Sequence, residues 1–183
     1  AFFLALLSKE SALPLILLIP LALYFFRTVS RRNLIVLSGA LLLILVAYLG
    51  LRFSLVGGFG GDPPQELMNN PFVGKGTGER LAIAVHGLGM YLGKFFWPHP
   101  LSHDYYPWAF ATSGWTEPGV LLGLLSHLGI AAYGIWGLRR KDPIAFGCLW
   151  YLATISIVSN IPFSVGTLLS ERFLFIPSLG LIF

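Results

Sequence analysis

The sequence predicts an all-α integral membrane protein, a polytopic helical bundle with extracytoplasmic loops and one interfacial or re-entrant helix. Three observations lead there. Of 183 residues, 56% are hydrophobic and 11% charged, with a mean hydropathy of +0.77, far from the roughly 25% charged residues of an ordinary soluble domain. The apolar residues fall in runs long enough to cross a bilayer, which takes about 20 residues at 1.5 Å each. The basic residues gather in two short turns, one over 27–32 and one over 139–141, as expected of loops held in the cytoplasm. The net charge of +4 is thus split between faces that flank lipid spans, which excludes a nucleic-acid binder. Cys148 is the one cysteine and can make no internal disulfide.

In chain order, 1–7 is the tail of an apolar segment, interrupted by Ser8-Lys9-Glu10-Ser11. A span follows over about 11–27, with Pro14 in its first turn and Pro20 as an interior kink. Residues 34–56 form a second span. Residues 57–78 are rich in Gly, Pro and Asn and lie outside the lipid. Residues 81–97 are apolar but short. Next comes an aromatic stretch, Trp97-Pro98-His99-Pro100-Leu101-Ser102-His103-Asp104-Tyr105-Tyr106-Pro107-Trp108, whose Trp and Tyr suit a headgroup-level belt on an inert loop as well as they suit chemistry. Spans over 119–138 and 143–161 are parted by Arg139-Arg140-Lys141-Asp142. Residues 164–172 make a short polar connection, and 173–183 start another, incomplete span. Residues 1–183 therefore read as a single transmembrane domain. The start at Ala1, without an initiator Met or a basic leader, and the stop inside an apolar run make it read as an excerpt of a longer chain.

Sidedness follows from the basic turns. If both are cytoplasmic, an even number of crossings separates them. Spans 34–56 and 119–138 supply two, so 81–97 is expected not to cross. In helical projection Arg80, Gly87, Tyr91 and Lys94 share one stripe, as in a helix lying in the interface. Seven of the eight acids then share the outer side: Glu10, Asp62, Glu66, Glu79, Asp104, Glu117 and Glu171. Loops 57–117 and 162–172 are extracytoplasmic on this reading. Lys9-Glu10, Asn70, Arg80, the 99–106 loop and Glu171-Arg172 converge on one face from distant positions. Charges near the ends of apolar helices usually have a partner or a task, and the Lys-Glu and Glu-Arg neighbours are also plausible as mutual neutralisers.

Several of these residues occur in a family's order: Leu6-Leu7-Ser8-Lys9-Glu10-Ser11, Asn70-Pro71-Phe72, Pro100-Leu101-Ser102-His103-Asp104-Tyr105, Ser159-Asn160, and Ser170-Glu171-Arg172-Phe173-Leu174-Phe175-Ile176-Pro177-Ser178-Leu179-Gly180. Together they resemble the membrane half of the transmembrane and tetratricopeptide-repeat (TMTC-like) proteins. The resemblance implies a GT-C type glycosyltransferase fold in a bacterial inner membrane. It also implies a polyprenyl-phosphate sugar as donor and a protein or glycan hydroxyl as acceptor. The acidic pair that such enzymes carry in their first outer loop would lie before Ala1, and the repeat domain after Phe183. The run His103-Asp104-Tyr105-Tyr106-Pro107 departs from the family's usual Asp-Tyr-Ser-Tyr-Asn, and Phe175 stands where Tyr is common. The catalytic residues are therefore not assigned to this stretch.

Sugar transfer from a lipid phosphate builds negative charge on the departing phosphate, so fixed positive charge is needed beside it. Arg172 is the first choice, because guanidinium grips phosphate oxygens in a bidentate fork, and Lys9 the second. Glu10 and Glu171 would orient those cations or hold a divalent ion. Asp104 and Tyr105, with His103 and Asn70, would line the acceptor or sugar pocket. His99 and His103 have a metal-ligand spacing only in a helix, which Pro98 and Pro100 oppose. His127, in an apolar span, reads as a hydrogen-bonded packing residue, and Arg52 as a charge snorkelling from a span's end. The competing functional class is a non-catalytic assembly subunit whose outer loops dock partner subunits of a larger membrane complex.

Overall fold

A computed structural model of the chain describes residues 1–56, 72–102, 105 and 114–183. They form seven helices: α1 (Phe2–Ser8), α2 (Leu15–Phe26), α3 (Arg31–Val56), α4 (Thr77–Phe96), α5 (Pro118–Gly137), α6 (Pro143–Ser156) and α7 (Phe175–Leu181). Short 3-10 turns at Glu10–Ala12 and Glu171–Leu174 precede α2 and α7. Among the described residues there is no strand, and one isolated antiparallel bridge pairs Tyr105 with Leu169.

Two stretches, Arg31–Leu55 and Pro118–Gly137, are long and apolar enough to cross a membrane. α3 is apolar on all sides, and its Ile35, Leu43 and Leu55 are each more than 70% exposed, a surface that suits lipid and not water. α2 and α6 are shorter apolar helices. α4 has the length but carries Glu79, Arg80 and Lys94. α5 and α6 each begin with proline, where the missing N–H has no helical partner to lose. Asp142 caps α6, its Oδ1 accepting the Ile144 amide at 3.0 Å and its Oδ2 the Tyr133 hydroxyl at 2.6 Å.

α6 stops at Ser156, short of the expected Ile161. The hydroxyls of Ser156 and Ser159 bond back to the carbonyls of Ala153 and Ser156, and Asn160 takes a left-handed backbone, φ 60°. Such groups compete with the helix ladder for backbone partners, which ends an otherwise apolar run. α4 begins earlier than the expected start at 81, with Gly76 as its N-cap and Thr77 its first residue.

Small residues set the tightest contacts. A Cβ on Gly147 would lie 2.3 Å from the Gly180 carbonyl oxygen, and one on Gly180 would lie 2.4 Å from that of Gly147, so α6 and α7 touch backbone to backbone. Gly123 of α5 meets the Val85 carbonyl of α4 in the same way, at 2.3 Å. Phe25 of α2 packs with Ala145 and Phe146 of α6, while Lys141 Nζ stands 5.0 Å from the Tyr24 ring. The two basic turns are thereby brought to one end of the bundle. Lys9, Glu10 and Ser11 meet Thr154, Ile157 and Val158 at the other.

α4 lies along the irregular segment 160–171. Arg80 donates to the carbonyls of Asn160 (3.2 Å) and Ile161 (3.3 Å). Gly87 abuts the Leu168 carbonyl, the Tyr91 hydroxyl accepts the Ser170 amide at 3.1 Å, and Lys94 reaches Glu171 at 3.8 Å. Arg80, Gly87, Tyr91 and Lys94 are the stripe expected from helical projection. Arg80 and Tyr91 thus satisfy backbone groups of a segment that is not helical, and Lys94 meets a carboxylate.

Candidate functional site

The charged junctions chosen from the sequence meet at a hollow of about 350 Å³. Its charged residues are Lys9, Glu10 and Arg172, carried on the Glu10–Ala12 turn with the residue before it and on the Glu171–Leu174 turn, some 160 residues apart in sequence. Its apolar wall includes Ile157, Val158, Phe163, Phe173 and Ile176. α1 ends where Lys9 takes an extended backbone (φ −160°, ψ 136°), and the Glu10–Ala12 turn follows it directly. Arg172 is exposed at the start of the second turn, with its guanidinium 5.2 Å from the Phe173 ring. Such an arrangement offers positive charge at one end of a greasy cleft, which matches an amphiphile with an anionic head.

The acidic partners are placed differently from expectation. Glu10 does not hold Lys9 or Arg172 as its ion partner; it pairs with Arg52 Nη1, which also donates to the Tyr48 hydroxyl at 3.3 Å. Arg52 therefore does not snorkel away from the protein. Its signal in the sequence was its position as the one charge inside the apolar run 34–56, where a partner is the rule. Glu171 turns to the aromatic loop, its Oε1 accepting the Ser102 amide at 3.0 Å and the Tyr105 hydroxyl at 2.9 Å, with Lys94 beyond. Lys94 also bonds the Pro100 carbonyl and sits 5.5 Å from the Tyr105 ring.

Tyr105 thus stands beside Glu171 and not in the hollow's lining. Asn70, His103 and Asp104 lie outside the described residues. Among the described residues, no three His, Cys, Asp or Glu side chains gather as a metal group would, and the chain from 97 to 102 is not helical. His127 is half-buried between α5 and α6. Its Nδ1 is 2.8 Å from the Gly123 carbonyl and must donate, so Nε2 accepts from the Tyr151 hydroxyl at 2.9 Å.

The class defined by these features is an all-helical chain with two helices of membrane length and a basic, apolar-walled hollow at one end. No family model matches the chain, and no curated protein or solved structure matches it.

Proposed function

We propose that this chain is part of a membrane glycosyltransferase of GT-C type, in which the hollow takes the phosphate end of a polyprenyl-phosphate sugar on the extracytoplasmic side. The observation that carries the reading is the joint lining of one cleft by Lys9, Arg172 and a run of aromatic and aliphatic side chains. Arg172 and Lys9 would bind the phosphate as the sugar C1–O bond breaks and charge builds on the leaving oxygen. The isoprenoid tail would follow the apolar wall and the lipid beyond it. The acceptor hydroxyl, on protein or glycan, would approach from the loop side that Glu171 and Tyr105 organise. Its proton requires a base outside the residues assigned here, so transfer is a property of the complete protein. The expected location is a bacterial inner membrane.

The test is Arg172→Ala in the complete protein, assayed for sugar transfer from a polyprenyl-phosphate donor. Activity is expected to disappear while the detergent-solubilised protein keeps its melting temperature. Full turnover by the variant removes Arg172 from the site. A complete protein that neither transfers sugar nor binds the donor would favour the assembly-subunit reading.

A further inference from the structure

Glu10 poses a problem for any anion in the hollow. Its carboxylate lines the same wall as Lys9 and Arg172, and a like charge about 6 Å from a phosphate, in surroundings between protein and water, weakens binding by about tenfold or more. The residue that answers it is not in the lining. Arg52 approaches from α3 and makes an ion pair with Glu10 Oε1 through Nη1. Tyr48, one helical turn earlier and only 6% exposed, receives a hydrogen bond from the same nitrogen, which fixes the guanidinium over the Glu10–Ala12 turn. We infer that Arg52 is a specificity-determining residue: by neutralising Glu10 from behind the wall, it leaves Lys9 and Arg172 to set the hollow's charge and makes it selective for a phosphate-headed lipid over the corresponding alcohol. This rests on the lipid-phosphate reading of the hollow and adds the residue that gives the cleft its sign.

The complete protein in detergent, titrated with a polyprenyl monophosphate and separately with the matching polyprenol, tests it. The wild type is expected to prefer the phosphate. Arg52→Gln should bind the phosphate about tenfold more weakly and the alcohol unchanged, because only the charge on the wall has altered. Glu10→Gln should bind the phosphate more tightly than wild type, since a negative charge has left the wall. The double variant, Arg52→Gln with Glu10→Gln, should return to within about threefold of wild type, a rescue that loss of a structural ion pair would not give. An Arg52→Gln protein that keeps wild-type phosphate affinity overturns the inference, and so does a double variant as weak as the single one. Should Arg52→Gln fail to fold, a Glu10→Gln protein that binds phosphate more weakly than wild type overturns it equally. A wild type without preference for the phosphate refutes the reading of the hollow itself, a separate outcome.

Discussion

Replacing Glu171 by Ala removes the acceptor that ties the aromatic loop to the start of α7. One carboxylate oxygen takes the Ser102 amide at 3.0 Å and the Tyr105 hydroxyl at 2.9 Å, and the side chain is only 21% exposed. Hydrogen bonds to a charged group contribute about 1.5–3 kcal/mol each, while the Lys94 pair at 3.8 Å adds at most about 1 kcal/mol. Discounting for partial exposure, the free energy of opening residues 97–102 away from Glu171 should fall by about 3 kcal/mol, or about a hundredfold in the exchange rate of the Ser102 amide. Hydrogen exchange read by mass spectrometry on the complete protein in detergent measures this, with a peptide from α6 as internal control. Glu171→Gln keeps a carbonyl acceptor without the charge, so about a tenfold acceleration is expected. Equal exchange at Ser102 in wild type and Glu171→Ala would refute the assignment of Glu171 as the loop's anchor.

Asn160→Ala should destabilise the protein by about 2–4 kcal/mol, because the side chain bonds Val165, Thr167 and Leu168 and the backbone is left-handed; Asn160→Gly should recover only the backbone share, about 1 kcal/mol, in thermal melts. Gly123→Ala should cost about 1–3 kcal/mol by driving α4 off α5, whereas Gly129→Ala, with open space around it, should leave the melting temperature unlowered. His86 packs over Gly119, and burial pushes its pKa below its ordinary value of 6.5, opposed by Glu117. The neutral ring is the folded form, so its share of stability is complete above about pH 6.5 and is lost as pH falls below it, where the unfolded chain binds the proton first. Wild type should therefore lose more melting temperature than His86→Gln between about pH 7.5 and pH 5.5; equal losses would show that His86 titrates alike in both states.

Much of the helical outline was legible because hydropathy alone marks runs such as 34–56 and 119–138. The end of α6 was not, because Ile157 and Val158 continue the apolar run while Ser156, Ser159 and Asn160 divert its backbone. That Lys9, Glu10 and Arg172 share a wall was suggested by sidedness, which places residues on a face but not beside one another. The pairing partners were out of reach for the same reason: Arg52 lies 42 positions from Glu10, and Lys94 77 positions from Glu171. Nothing local distinguishes those partners from Arg27 or Lys141. Tyr105 joined Glu171 instead of the hollow because the bridge to Leu169, a long-range backbone contact, directs its side chain.

A structure of the complete protein with a bound polyprenyl phosphate tests the central claim most directly. Phosphate density within hydrogen-bond distance of the Arg172 guanidinium, with the first isoprene units against Phe163 and Phe173, is the predicted result. Lipid phosphate bound at the opposite end of the bundle, beside Arg27 or Lys141, would contradict it.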